Sequence, residues 1–430
     1  MDEAGTTARD ETAGDTSERG TEPEGAAERE SAEHGERERV RRRWLRSRVA
    51  HRHHRVSFVE LFFDLVFVFA LTQLSHHLLD HFNAAGAVET AILLLAIWWV
   101  WVYTTWVTNW MEPDSGPVRT MLFLLMFAGL VLSTSIPEAF GDKGLVFAAA
   151  YVAMQVGRSA FTAWSMRGHH PVNHRNFRRI TIWLALSGVL WIAGGLSDYE
   201  ARVLLWSAAI AVEYLSPAIG FWLPRLGRSE TSDWEVEGGH MAERCGLFLI
   251  IALGESILVT GTNFSKADWS AANLVGFLVA FAGSVAMWAV YFNIGSGRAS
   301  RILDEARDAG RIARLAYTYD HIIIVAGLVL TAAADEFLLV HPDRPGDGTI
   351  AVAVIGGPLL FLVGVALFKR ITGGRLPRSH VAGGIGLIAL VPVAGLVPTL
   401  ALAVMVTAIL AAVAVWEQLA LGPAPPLEET

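Results

Sequence analysis

The chain predicts an all-α, polytopic transmembrane protein of about twelve spans, and three observations predict it. Apolar residues make up 53% of its 430 residues and charged residues only 18%, with a mean hydropathy of +0.41, far too apolar for a water-soluble domain. Twelve apolar segments follow one another between residues 57 and 419, most of them as long as a helix needs to cross a bilayer. The loops between them alternate in charge. Seventeen Lys and Arg fall in the loops on one side and four, Lys143, Arg202, Lys266 and Arg344, in those on the other. By the positive-inside rule, this even number of crossings leaves both termini in the cytoplasm of an inner (plasma) membrane.

Residues 1–39 are rich in Glu, Gly, Thr, Ala and Ser and have almost no large apolar side chain. They cannot bury enough surface to offset ordering entropy, so a disordered acidic cytoplasmic tail is expected. Residues 40–55 form a basic juxtamembrane segment suited to anionic lipid headgroups. The apolar segments run over 57–80, 88–110, 118–137, 144–166, 179–197, 201–222, 241–262, 271–294, 313–335, 349–369, 380–397 and 399–419. The last two are separated only around Val397-Pro398 and could form one kinked element. Residues 56–222 then make a first six-helix half, 223–240 a cytoplasmic linker, 241–420 a second half and 421–430 a short cytoplasmic tail.

The halves carry short matches. AGLVL occurs at 128–132 and again at 326–330, Ala193-Gly194 matches Ala394-Gly395, and Glu213 matches Glu417. Six spans per half return the chain to the same side, so the repeats would be parallel rather than inverted. Arginine outnumbers lysine 31 to 3, which points to a bacterium with a GC-rich genome.

Composition also excludes chemistry. The single cysteine, Cys245, lies inside an apolar run, so neither a disulfide framework nor a thiolate metal site is available. There is no nucleotide-binding loop, HExxH motif or GxSxG elbow. No enzyme, cofactor, metal or nucleic-acid partner is therefore expected.

The informative residues are the charged ones inside apolar segments, because each costs about 2.5 to 3.5 kcal/mol at the centre of a span. Glu60 and Asp64 stand one helical turn apart on one face of the first segment. At ~1.5 Å per residue, Asp64, Arg158, Glu213, Asp320 and His321 all lie ~11 to 14 Å from the cytoplasmic end, with Glu60 shallower at ~5 Å. Asp64 with Arg158 is the expected ion pair, leaving Glu60 or Glu213 nearer a cytoplasmic vestibule. In the seventh segment Glu243 and Arg244 sit at the cytoplasmic edge, where headgroups could meet them. Glu255 lies beyond the midplane, with Gly254 and Ser256 beside it to allow close packing or a local break. The tryptophans of the second segment, among them Trp98, Trp99 and Trp101, read as interfacial and packing residues.

Three stretches, ELFFDLVFVFALTQLSHHL at 60–78, AERCGLFLIIALGESI at 242–257 and YTYDHIIIVAGLVL at 317–330, resemble the bacterial low temperature requirement protein A family over residues 56–420. The residues that carry the likeness are Glu60, Phe63, Asp64, Glu243, Arg244, Gly254, Glu255 and His321. The resemblance implies a polytopic membrane protein linked by name to growth in the cold, with no settled biochemical activity. A second likeness is to the first helix of the tandem six-plus-six-span potassium channels related to the lysosomal one. Phe63 stands where those channels have Ser, and the seventh segment lacks their Phe-Ser-Asp motif altogether. The architecture agrees while the motif chemistry does not.

The activity expected from these residues is secondary transport or permeation of an ion or small solute. Glu60, Asp64, Glu213, Glu255, Asp320 and His321 are the candidate ion, solute or proton sites, and Arg158 and Arg244 the counter-charges. A passive tandem cation channel and a non-transporting membrane scaffold or cold sensor are the alternatives. Homo-oligomerisation is compatible with the sequence and is not specified by it.

Overall fold

Ser57 opens the first helix with a capping box: its Oγ accepts the Glu60 N–H at 3.3 Å, while Glu60 Oε2 accepts the Ser57 N–H at 2.9 Å. Helix α1, Phe58–Asp80, follows. Asn83 caps α2, Ala84–Trp110, and a proline in the first turn starts both α3, Gly116–Ser135, and α5, Pro171–Gly195. Between these lies α4, Gly144–Ser165. Asp198 caps α6, Tyr199–Leu215. The second half comprises α7, Gly238–Lys266, α8, Ala271–Phe292, α9, Ala309–Val340, α10, Gly348–Gly373, α11, Arg378–Ala389, and α12, Thr399–Leu421. The computed structural model describes residues 44–46, 56–168, 170–234, 236–266, 268–293, 308–340, 342–343 and 348–421. The acidic tail, most of the basic segment and residues 422–430 lie outside them.

Among the described residues eleven stretches are long and apolar enough to cross a membrane, and α6 is not one of them. The segment expected over 201–222 ends at Leu215 after 17 helical residues, only ~26 Å of helix. Pro217 has no N–H to give the Glu213 carbonyl, and the Ser216 hydroxyl donates to that carbonyl instead at 2.8 Å. The chain then turns through Gly220 at φ +66°, where a Cβ would stand 2.4 Å from the Ser229 carbonyl. The last two segments are separate helices: α11 passes into a 3₁₀ turn, Val391–Leu396, and Val397 is extended before Thr399 starts α12.

Large apolar side chains such as Leu124, Phe127, Val189 and Leu204 are exposed on the outside of the bundle, as a lipid-facing surface requires. Helix α2 is the inner post. Trp98, Trp99 and Trp101 are each at most 1% exposed, so the expectation of interfacial tryptophans fails for these three and that of packing holds.

In the first half α1 packs on α2 and α3, α3 on α4, α4 on α5, α5 on α6, and α2 on α4 and α6. In the second half the same order of neighbours recurs: α7 packs on α8 and α9, α9 on α10, α10 on α11, α11 on α12, and α8 on α10 and α12. Helices α1 and α7 meet between them, and α1 and α2 also touch α9. Helices α9 and α10 approach closely, where Gly327, Gly357 and Gly364 bring backbone against backbone.

Helix α9 contains a π-helical stretch, Arg314–Asp320. It is anchored from the first half: Trp98 Nε1 donates to the Thr318 carbonyl at 2.7 Å and Trp106 Nε1 to Thr318 Oγ1 at 2.9 Å. Such stretches leave backbone groups without their usual helical partners, and the indole supplies one.

Candidate functional site

The two carboxylates of α1 face α2 and α7, and α7 supplies their partners. Arg244 Nη1 donates to Asp64 Oδ2 at 2.8 Å and to the Glu60 carbonyl at 2.9 Å. The other Asp64 oxygen accepts the Trp101 Nε1–H at 2.8 Å, and the guanidinium lies 5.5 Å from a Trp101 ring centroid. One turn earlier, Glu60 Oε1 accepts from His240 Nε2 at 2.9 Å, and Glu60 Oε2 from Arg46 Nη2 at 3.3 Å and from the Ser57 hydroxyl at 3.0 Å. Arg46 Nε also donates to the Met111 carbonyl at 3.3 Å. Glu60, Asp64 and Arg244 have no exposed surface.

His240 is held at both ring nitrogens. Asn109 Oδ1 accepts the Glu237 N–H and Asn109 Nδ2 donates to the Glu237 carbonyl, each at 3.0 Å, which fixes the orientation of the amide. The second Nδ2 hydrogen then points at His240 Nδ1, 3.3 Å away. That contact favours Nδ1 as the acceptor and Nε2 as the donor to Glu60, and the cationic Arg46 Nη2 stands 3.1 Å from the same Nε2. Glu60 and Asp64 thus face the guanidiniums of Arg46 and Arg244, and Arg46 Nη1 also lies 4.0 Å from the Glu237 carboxylate.

This arrangement corrects three expectations. Asp64 pairs with Arg244 and not with Arg158, because α1 packs against α7 while α4 packs on α2 and α3. Arg244 is fully buried and does not reach headgroups. Glu60 opens on no vestibule, since His240, Arg46 and Ser57 close over it.

Arg158 belongs to a second polar cluster, inside the first half. Its Nη1 donates to the Val100 carbonyl at 3.0 Å and to Thr104 Oγ1 at 3.1 Å, and its Nη2 to Gln155 Oε1. Gln155 donates to the Tyr151 hydroxyl at 3.0 Å, and Tyr151 donates to Glu213. Glu213 also accepts from Ser187 Oγ at 2.6 Å and Trp191 Nε1 at 3.0 Å. Glu213 therefore faces no vestibule either and is 2% exposed; the guanidinium of α4 and the carboxylate of α6 are joined through Gln155 and Tyr151. Tyr151→Phe removes one donor to a buried carboxylate. A loss of about 1.5 to 3 kcal/mol is expected, read as a lower midpoint of thermal unfolding in detergent; an unchanged midpoint would mean that water replaces the hydroxyl.

A profile of the bacterial low temperature requirement A proteins matches residues 55–415. This chain belongs to the low temperature requirement A family. It is also 43% identical to an uncharacterized protein of Rhizobium meliloti (strain 1021) over 368 residues, covering 85% of this chain and 90% of that one. No solved structure matches it.

The residues through which the chain resembles the low temperature requirement A family separate in space. Phe63, next to Asp64 in the ionic joint that Glu60, Asp64 and Arg244 make between α1 and α7, is buried against Phe67 with ring centroids 4.9 Å apart. Glu243 is exposed and accepts the Val56 N–H at 3.2 Å. Gly254 permits no close packing and no break: a Cβ there would meet nothing within 4 Å, and α7 runs through it unbroken. Glu255 is 6% exposed on the same helix, remote from the joint along the chain. His321 is fully buried; its Nδ1 donates to the Ala316 carbonyl at 2.7 Å and its Nε2 accepts from the Tyr291 hydroxyl at 2.9 Å. Asp320 is 4% exposed, and its Oδ2 has no hydrogen-bond partner among the described residues. No group of three or more His, Cys, Asp or Glu placed to hold a metal occurs among the described residues.

Sequence reasoning missed Arg46, Asn109, Trp101 and His240, which complete the joint. The Ser57-Phe58-Val59-Glu60 capping signature and the position of His240 one turn before Arg244 were the available signals. It also missed Lys369, which donates to Glu417 at 2.7 Å beside His380 in the second half.

Proposed function

We propose that this member of the low temperature requirement A family is a secondary transporter of a small cation or solute, with the ionic joint between α1 and α7 as its working site. The observation that carries the reading is the buried ionic set of Glu60, Asp64, Arg46 and Arg244 where the two halves meet. A buried ion pair is a poor stability device, because well-packed apolar residues of similar volume do as well or better. Three charged groups on spanning helices, Glu60, Asp64 and Arg244, with Arg46 folded over them, therefore argue for ions or protons handled there. In one state Arg244 neutralises Asp64; in another, a transported cation or a proton takes that place and the halves part at α1 and α7.

We further propose that the halves are two parallel six-helix repeats, with both termini on the cytoplasmic side of the plasma membrane. The recurring order of neighbours supports the repeat, as does the carboxylate on the sixth helix of each half. Glu213 bonds to groups on α4 and α5, and Glu417 to groups on α10 and α11. The distribution of basic residues supports the orientation.

The test is proton and monovalent-cation flux in proteoliposomes reconstituted with monodisperse protein, using a pH-sensitive dye and a panel of cations. Wild type is expected to carry a saturable flux and Asp64→Asn none. Full flux from a well-inserted Asp64→Asn protein would remove Asp64 from the mechanism. A silent wild type across the panel would favour the scaffold or sensor reading. The observation on that side is that both Asp64 oxygens and both Glu60 oxygens already have donors.

A further inference from the structure

Asp335 lies five residues before the end of α9, whereas Glu60 and Asp64 lie near the start of α1. It is 7% exposed. Glu60, Asp64 and Glu417 each have a basic side chain within 4.0 Å, but no salt bridge reaches Asp335 among the described residues. Its one hydrogen bond there is from Ser256 Oγ to Oδ2 at 2.5 Å, and Ser256 is 3.4 Å from the Ser284 hydroxyl. A carboxylate inside a span with a single neutral donor lacks compensation for its charge.

Two threonines share a mainly apolar cavity with it. Asp335 lines a cavity of about 40 Å³ with Thr331, Val354, Pro358 and Thr407, room for a small ion and a water, since one water needs roughly 10 to 15 Å³. Thr331 Oγ1 donates to the Gly327 carbonyl at 2.8 Å, which leaves its lone pairs free to bind. Pro358 stands inside α10 and has no N–H for the carbonyl of Val354 four residues back. Asp335 and Thr331 of α9, Val354 of α10 and Thr407 of α12 therefore line one space.

The geometry points to a binding site for a small, hard monovalent cation of sodium's class, headed by Asp335 and completed by Thr331, Thr407 and the Val354 carbonyl. Hard cations take oxygen ligands, and a single carboxylate balances a single positive charge. A divalent ion would leave an uncompensated charge in the bundle. The site is separate from the joint of Glu60 and Asp64 and stands whether or not that joint transports anything.

The test uses full-length protein in detergent, with retention of radioactive sodium and thermal unfolding measured in sodium, potassium and choline chlorides at equal ionic strength. Wild type is expected to retain about one sodium ion per chain and to unfold at a higher temperature in sodium than in choline, the shift growing with concentration as linkage requires. Asp335→Asn should lose both effects while unfolding in choline no earlier than wild type. Thr407→Val keeps the carboxylate and removes one ligand, so its sodium affinity should fall about tenfold, the equivalent of ~1.4 kcal/mol; it also serves should Asp335→Asn fail to fold. Asp64→Asn should retain sodium as wild type does. Wild type without retention or a sodium-specific shift, or equal retention by Asp335→Asn or by Thr407→Val, overturns the proposal and leaves Asp335 a protonated acid bonded to Ser256.

Discussion

Arg244→Leu should destabilise the protein by about 3 to 5 kcal/mol, because it strands Asp64 as a buried charge with no cation beside it. Asp64 has no exposed surface, and its remaining donor is the indole of Trp101. The same change also removes the bond to the Glu60 carbonyl and the contact with the Trp101 ring. Asp64→Leu should cost a similar amount, since it strands the guanidinium instead. The double variant Arg244→Leu/Asp64→Leu strands neither charge, so it should be more stable than either single variant and the two substitutions strongly coupled. Denaturant titration of the four proteins in detergent measures the coupling. A single-variant cost below about 1 kcal/mol would place the pair in the class of solvent-screened surface bridges and contradict its burial.

Gly327→Val should be nearly as damaging, by forcing α9 away from α10. A Cβ at 327 would stand 2.4 Å from the Phe361 nitrogen and 2.8 Å from its Cα, both backbone atoms that no side-chain rotation can move aside. Gly357 and Gly364 impose the same closeness from the other helix, with Thr331 N at 2.7 Å and Ile324 N at 2.9 Å from their would-be Cβ atoms. Overpacking at such a contact costs about 3 kcal/mol, and the loss should appear as a lower thermal midpoint and a lower yield of monodisperse protein. Gly254→Ala is the matched control. That position is mid-helix with nothing within 4 Å of the added methyl, so the variant should be neutral or gain up to about 1 kcal/mol from helix propensity. Equal effects at 327 and 254 would mean that the backbone contact yields.

The class of fold was legible because span length and loop charge are one-dimensional quantities, and a bilayer constrains both. Eleven of the twelve expected segments appear as stretches long enough to cross; α6 fell short because Pro217 and Gly220 end a helix that hydropathy alone would continue. Depth was legible for the same reason, but pairing was not. Asp64 and Arg158 do share a layer, yet depth carries no information on which helices are neighbours or which way each helix is turned. The correct partner was masked by a boundary. With α7 starting at Gly238 rather than 241, Arg244 is six residues into its helix, as Asp64 is six residues after Phe58. Arg46 was hidden differently: in a run of arginines suited to headgroups, no pattern marks the one that Glu60 and Met111 draw into the protein.

The ion pair between Asp64 and Arg244 spans 180 positions of sequence. Ribosomes add about 5 to 20 residues per second, so α1 leaves the exit tunnel roughly 10 to 40 s before its cation exists. During that interval a carboxylate must either be held by the insertion machinery or carry a proton into the lipid. Biogenesis of this chain is therefore not helix by helix. The first helix stays provisional until the seventh arrives, and fragments ending before residue 244 should be the ones that membrane quality control removes.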